Sequence, residues 1–376
     1  MLMNPFLEKN LEYALGKMPG LDRAALAARL ANIRWPVSLK ARVCEVTINS
    51  ACNNKCLFCY SEPGSFGPGG PEPGLEAVFR ALYRGRRQGC WIAAVIGGEP
   101  TLRGDIRKIA AFARKAGYPC VKLCTNGAKL ADPAYAAGLA EAGFNMFDIS
   151  LHGHEAALHD RLVGVPGAFD LAVRAVKNVR RLGCEAGTNQ VINALNYRHF
   201  PEFFRFAYNG LGINYYNIIY GHYRGVMAAN KDMLKVKISR TLPAIKKGLE
   251  TLESSGFPAL SRLLVNFTPC LLPGYMNLLA DWESDTRGAD PLMPADGITV
   301  NMAEMKNAQS ARTPRCAGCA LGARCRGFDR EYLALMGGGE FKPLKRAPGA
   351  FRIRTLFGNG SAAQLAGKSR GSRRKK

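Results

Sequence analysis

Between residues 42 and 220 short apolar runs alternate with helical segments, and that alternation restricts the chain to a parallel sheet wrapped in helices. RVCEVTINS (42–50), WIAAVIG (91–97), CVKLCT (120–125), MFDISL (146–151), EAGTNQVIN (185–193) and INYYNIIY (213–220) read as strands. Helical patterns near 75–88, 105–116, 132–142, 168–182 and 200–208 fall between them, and each strand but the last is followed by a helix. Parallel strands joined by right-handed crossovers are buried on both faces, and six such units predict an open or partial barrel of the α/β class. In folds of this kind functional residues gather at the carboxyl ends of the strands.

A chain of 376 residues has room for one large domain and a smaller appendage. No apolar run approaches the ~20 residues that span a bilayer, and the first twenty residues lack the basic-then-apolar order of a secretory signal, so a cytoplasmic location is expected. In a reducing compartment the twelve cysteines are not expected to pair as disulfides, and clustered ones read as metal ligands. Cys44, Cys90, Cys120, Cys124 and Cys184 lie in or beside apolar runs and read as small buried hydrophobes. The net charge is +23, of which eleven Lys and Arg lie between Lys342 and Lys376 with no acidic residue among them. That basic tail could hold an acidic partner, RNA or an anionic surface, or be a solvated end.

ACNNKCLFCY places Cys52, Cys56 and Cys59 on one loop directly after the first strand, with three and then two residues between them. Three thiolates suit a [4Fe–4S] cluster that leaves one iron open, whereas structural zinc wants four protein ligands and would have to borrow a distant one. This spacing, with Phe58 just before the last cysteine, resembles the signature of the radical S-adenosylmethionine (radical SAM) superfamily. The resemblance implies that the open iron chelates S-adenosylmethionine and that reductive cleavage yields a 5′-deoxyadenosyl radical which abstracts a substrate hydrogen. IGGEPTL (96–102), at the end of the second strand, resembles the family's Gly-Gly-Glu-Pro motif, which assigns Gly97, Gly98, Glu99 and Pro100 to the cofactor's methionyl amino group. Asn126, Ser150 and Gln190, at or near later strand ends, resemble positions lining the cofactor pocket, and each is equally explained as a capping or turn residue. HGHEAALH groups His152, His154 and His159, but not at the spacing of a zinc hydrolase, so a loop and helix start with substrate contacts is expected there.

RCAGCALGARCRG supplies Cys316, Cys319 and Cys325, and TPCLLPGY supplies Cys270 upstream. Four thiolates can close a zinc site or a complete [4Fe–4S] cluster, and spacing does not choose between them. Within the resemblance the run looks like the auxiliary-cluster extensions called SPASM and Twitch. It departs from the longer SPASM pattern at Asp329, where a further ligand is expected, so one auxiliary cluster of the shorter type is implied, with Cys270 as fourth ligand.

The expected organisation is an N-terminal helical extension (1–41), a partial (β/α)6 TIM-like barrel (42–230), a helical linker with a small cysteine-rich auxiliary-cluster domain (231–340), and a basic tail (341–376). The implied function is radical modification of a peptide or small molecule, with a flavodoxin or ferredoxin as reductant by resemblance. Radical modification of RNA or a nucleotide is an alternative motivated by the charge. A non-catalytic zinc-binding adaptor is the alternative of another class, which leaves the GGEP motif unexplained.

Overall fold

The computed structural model describes Ala24 and residues 42–61, 72–213, 215–255, 263–286, 290–294 and 296–347. The N-terminal extension, most of the Gly/Pro-rich connection after the first cysteines, and the tail beyond residue 347 lie outside the described residues. The expected strands form as β1 (Val43–Thr47), β2 (Ile92–Ile96), β3 (Cys120–Thr125), β4 (Met146–Ser150), β5 (Glu185–Ile192) and β6 (Tyr215–Tyr220). Each pairs in parallel with the next in chain order. The helices between them are α1 (Leu75–Arg87), α2 (Ile106–Lys115), α3 (Pro133–Ala142), α4 (Ala156–Val163), α5 (Ala168–Arg181) and α6 (Phe200–Phe204), the last running into a π-turn at Arg205–Gly210. This is the partial TIM-like barrel that the alternation predicts.

The alternation of each strand separates two environments. Cys44, Val46, Ala93, Val95, Val121, Leu123, Phe147 and Ile149 pack against the helices in one continuous core. Glu45, Lys122, Asp148, Asn189 and Asn217 fall on the opposite, inner face, so the inside of the barrel is polar. Three of the five cysteines read as buried hydrophobes, Cys44, Cys90 and Cys120, are at most 2% exposed. Cys124 and Cys184 are only partly buried, and the Cys124 thiol faces the Asp148 carboxylate at 3.9 Å.

The sheet does not stop at the expected boundary after residue 230. After α7 (Gly225–Ala229), α8 (Lys231–Leu234) and α9 (Ile238–Ser254), β7 (Leu264–Val265) adds to β6, while β8 (Pro291–Met293) and β9 (Val300–Asn301) extend the sheet beyond β1. Among the described residues the sheet therefore has nine strands, in the order β7-β6-β5-β4-β3-β2-β1-β8-β9. After these short strands the chain forms α10 (Met302–Ala308), β10 (Ser310–Ala311), β11 (Phe328–Asp329) and α11 (Arg330–Met336). Pieces of two or three residues carry too little periodicity to be read from sequence, and they are stable here because the barrel's edges offer them partners. No helix among the described residues is long and apolar enough to cross a membrane.

Of the three histidines after β4, His152 and His159 are buried rings, while His154 is half-buried against His199. His152 and His159 are 4% and 2% exposed and stack with centroids 5.8 Å apart, and the His159 Nδ1 accepts the backbone N–H of His152 at 3.2 Å. Burial pushes His159 down to about 4 and holds His152 well below its ordinary value, so both are neutral in the fold. Below pH ~6.5 the unfolded chain binds protons that the folded one refuses, so this contribution is complete above that pH and is lost as pH falls toward 4. Urea unfolding should lose about 2 kcal/mol from His159 alone between pH 7 and pH 5, and a His159→Gln variant should show a correspondingly smaller drop. Equal pH dependence in both proteins would contradict the burial argument.

Candidate functional site

The first cysteine loop is held from three sides. Lys55 and Leu57 donate their N–H groups to Val163 and Leu162 at the end of α4 (both 2.9 Å), Asn230 Nδ2 donates to the Leu57 carbonyl (3.1 Å), and the N–H of Met227 in α7 donates to the Cys59 carbonyl (2.9 Å). Phe58 is 7% exposed and packs on the His152 ring at 4.3 Å, which explains an aromatic residue at that place. The three thiols are partly buried. Burial first, then the nearby charges of Glu99 and Cys59, push Cys52 up to about 11; burial and the other two thiols raise Cys56 further. A cationic metal centre bound to the three thiols would relieve their mutual repulsion at the cost of releasing their protons.

The third side is the GGEP segment. The backbone beyond β1 pairs with that beyond β2: Gly98 donates to the Asn49 carbonyl (2.9 Å), Glu99 to the Ala51 carbonyl (2.7 Å), and Asn49 Nδ2 to the Glu99 carbonyl (2.9 Å). A Cβ on Gly98 would lie 2.2 Å from the Ser50 carbonyl oxygen, and one on Gly97 would lie 2.2 Å from Asn49 Oδ1, so only glycine lets these backbones approach. Pro100 is buried and opens a short 3-10 turn. The Glu99 side chain, 1% exposed, turns inward. Its Oε1 accepts from the Thr101 N–H (3.0 Å), the Thr101 hydroxyl (2.6 Å) and the Thr125 hydroxyl (2.7 Å), and its Oε2 from the Asn126 N–H (2.7 Å). Burial pushes its pKa up against the downward pull of these bonds. No Lys, Arg or His among the described residues forms an ion pair with it. A buried carboxylate with a spare lone pair and no counter-charge fits an incoming ammonium group.

Of the weaker strand-end residues, Asn126 joins this constellation. Its Nδ2 donates to Asn53 Oδ1 of the cysteine loop (2.7 Å), while its own Oδ1 caps the following turn at Ala128 (3.0 Å). Ser150 lies on the inner face of β4, paired in register with Asn189. Gln190 does not join it. Along β5 the alternation places Gln190 with Ala186, Thr188 and Ile192 on the helix side, where it is 1% exposed and its Oε1 has no partner among the described residues. Asn189 is the β5 residue that faces inward, bonded to Asn217 at 2.7 Å.

Cys270, Cys316, Cys319 and Cys325 line a single cavity with Thr268, Leu321, Phe328 and Phe341. Each sulfur meets one hydrogen-bonding group: Thr268 Oγ1 at Cys270 (3.4 Å), Thr313 Oγ1 at Cys316 (3.6 Å), the Leu344 N–H at Cys319 (3.4 Å) and the Gly327 N–H at Cys325 (3.4 Å). Burial first, then the remaining three thiols, raise Cys270. Among the described residues, no three His, Cys, Asp or Glu side chains of this set or the first are drawn together as the ligands of one metal ion are. Asp329 is absent from the cavity lining. Its carboxylate instead faces His222 Nδ1 (2.8 Å) and caps α11 at the Tyr332 N–H (3.0 Å).

His222 was not singled out from the sequence, although it stands two residues beyond β6, at a strand's carboxyl end. Asn266 Nδ2 bridges the Tyr220 carbonyl (2.9 Å) and His222 Nε2 (3.1 Å), which leaves Nδ1 to donate to Asp329. Asn266 and Asp281 are both left-handed (φ 62° and 54°), and Asp281 Oδ1 accepts the Asn266 N–H at 3.2 Å while pairing with Lys306. Such conformations in residues other than glycine cost about 1 kcal/mol or more and mark a site whose surroundings impose them.

Comparison with known proteins follows this geometry. Residues 46–207 match the model of the radical SAM superfamily. The Fe-coproporphyrin III synthase of Methanosarcina barkeri is 31% identical over 210 residues, 55% of this chain and 51% of that protein. The probable GTP 3′,8-cyclase of Saccharolobus solfataricus is 32% identical over 180 residues, 47% of this chain and 56% of that protein. The chain thus spans about half the length of the curated relatives it matches. Streptococcus suis SuiB shares the fold over 90% of this chain and 87% of its own, with a TM-score of 0.60 at 15% identity in its complex with the precursor peptide SuiA and 0.57 at 16% in its complex with S-adenosylmethionine. The relatives named are enzymes, which argues against the alternative of a non-catalytic zinc adaptor. The cysteine loop, its GGEP clamp and most of the partial barrel beneath them lie within residues 46–207, the part of the chain that matches the radical SAM superfamily.

Proposed function

We propose that Cys52, Cys56 and Cys59 ligate a [4Fe–4S] cluster and that Gly97, Gly98, Glu99, Pro100 and Asn126 receive the methionyl end of S-adenosylmethionine beside it. The observation that carries this reading is the buried Glu99 carboxylate, which has four donors and no cation, at the rim of the loop that bears the three thiols. When bound, the cluster and cofactor supply reductive cleavage to methionine and a 5′-deoxyadenosyl radical that removes a hydrogen atom from substrate. The chain's own contribution is positional. Gly98 lets the two backbones close, Glu99 neutralises the ammonium, and the Asn126–Asn53 bond holds the cysteine loop over the barrel mouth. Ser150 stays in the proposed site on the inner face of β4, whereas Gln190 leaves it and Asn189 takes the inward place.

The four remaining clustered cysteines are proposed to close a second, fully ligated [4Fe–4S] cluster. One donor on each sulfur stabilises thiolate ligands and tunes the centre they hold. Asp329 serves His222 rather than the metal, which supports a ligand set completed by Cys270. The substrate is proposed to be a peptide or small molecule with polar groups, because the inner faces of β3 to β6 present amides and charge, and a flavodoxin or ferredoxin would supply the electron. The RNA reading rests on charge alone, that of the basic tail and of the chain as a whole.

Anaerobic reconstitution with iron and sulfide should load about eight irons per chain. A Cys52/Cys56/Cys59→Ala variant and a Cys270/Cys316/Cys319/Cys325→Ala variant should each retain about four. Zinc in place of iron at the second set would remove the auxiliary cluster from the account, and an unchanged iron count in the first variant would refute the ligand assignment.

A further inference from the structure

The inner face of the barrel carries charge that neither cysteine set nor Glu99 uses. Toward the amino-terminal ends of the strands, Ile92, Cys120 and Met146, with Val43, Trp91 and Tyr215 packed against them, form an apolar plug. Beyond it Lys122 Nζ lies 3.0 Å from Asp148 Oδ2 and 5.5 Å from the centroid of the Tyr215 ring. Asn217 Nδ2 joins Asp148 Oδ2 (3.2 Å) to Asn189 Oδ1 (2.7 Å). Asp148 is wholly buried, and its Oδ1 takes no hydrogen bond from a described residue. A Cβ on Gly187 would sit 2.4 Å from that oxygen, so the absence of a side chain there keeps it uncovered.

Glu45 faces the same interior from β1, in register with Ala94 of β2, which in turn pairs with Lys122. It is partly buried and makes no ion pair or hydrogen bond among the described residues. Lys122 and Lys306 are near enough to act on its charge, yet each is committed to another carboxylate, Lys122 to Asp148 and Lys306 to Asp281. The layer therefore holds two carboxylates and one ammonium. Tyr60, 62% exposed at the end of the cysteine loop, has its phenol within electrostatic reach of Glu45, Cys59 and Cys124. An enclosed carboxylate without a counter-charge is costly unless a cation arrives, and an aromatic ring at the entrance adds to the attraction for one.

We propose that the barrel takes its substrate through a positively charged aliphatic amine, with the ammonium seated on Glu45 near Tyr60, and the Asn189–Asn217 amides and Asp148 on the same inner face. This deepens the radical reading, on which it rests for the substrate's place inside the barrel. The amine belongs either to a lysine of a peptide or to a free small molecule, and the two share one recognition chemistry. Lys122 cannot itself fill the site, because leaving Asp148 would strand that buried carboxylate.

The test uses the whole chain, reconstituted anaerobically with S-adenosylmethionine present, and four probes in calorimetric titration. They are lysine amide, norleucine amide, and five-residue peptides with a central lysine or a central norleucine. Each lysine probe should bind at least ten times more tightly than its norleucine counterpart, and Glu45→Gln should abolish that ratio without changing iron content, while Glu45→Asp retains part of it. Tighter binding of the peptide assigns the amine to a peptide, and tighter binding of the amide assigns it to a small molecule. Equal affinities within a pair, no binding of any lysine probe, or an undiminished ratio in Glu45→Gln would overturn the site. The comparison of lysine with norleucine needs no variant to fold. Iron content is scored separately: amine selectivity without iron would sink the radical reading alone, and iron without selectivity would sink the cation site alone.

Discussion

One buried carboxylate organises the mouth of this barrel. Glu99 is fixed by donors from its own turn and from the end of β3, and its backbone is fixed to the cysteine loop through Ala51 and Asn49. Three segments distant in sequence, residues 49–53, 97–101 and 125–126, are thereby tied at one point. A carboxylate this enclosed is unfavourable by itself, and its donors only partly compensate, so burial holds its pKa above the ordinary carboxylate value. On the proposed reading the same imbalance would strengthen the hold of Glu99 on an ammonium group, so stability and binding would draw on one interaction.

The second cysteine set is joined to this centre through the barrel wall. β7 and β8 carry the chain beyond the six βα units onto the two edges of the sheet, and Phe328 lines both the four-cysteine cavity and the neighbouring pocket that holds His222 and Asp329. Tyr220, Phe328, Tyr332 and Phe341 pack edge to face between β6 and α11. That aromatic seam is largely buried and shares one core with the barrel, so the auxiliary region reads as a continuation of the fold rather than an independent appendage.

Much of this was legible in the sequence for identifiable reasons. Six strands of five to eight residues, each with a clean alternation or apolar run, were placed to within three residues at each end, because their pattern is local. Cys52, Cys56, Cys59 and the glycines of GGEP were legible because spacing and the need for close backbone approach are local too. Gln190 was misplaced because a strand-end position does not reveal which face a side chain takes. One residue along β5 separates the inner Asn189 from the helix-facing Gln190. β7 to β11 were missed because strands of two or three residues owe their existence to distant edges. The His222–Asp329 pair spans 107 positions, and only the folded chain shows that Asp329 faces histidine instead of completing the cysteine set.

The central claim is that the three-cysteine loop and the Glu99 clamp together bind and cleave S-adenosylmethionine. The most direct measurement is chromatographic quantification of 5′-deoxyadenosine and methionine after dithionite reduction of the iron-loaded protein, compared with Cys56→Ser and Glu99→Gln. The account predicts both products in equal amounts from the unaltered protein, none from Cys56→Ser, and at least tenfold weaker cofactor binding in Glu99→Gln. Iron-loaded, reduced protein that leaves S-adenosylmethionine intact, or a Glu99→Gln variant that binds it undiminished, would contradict it.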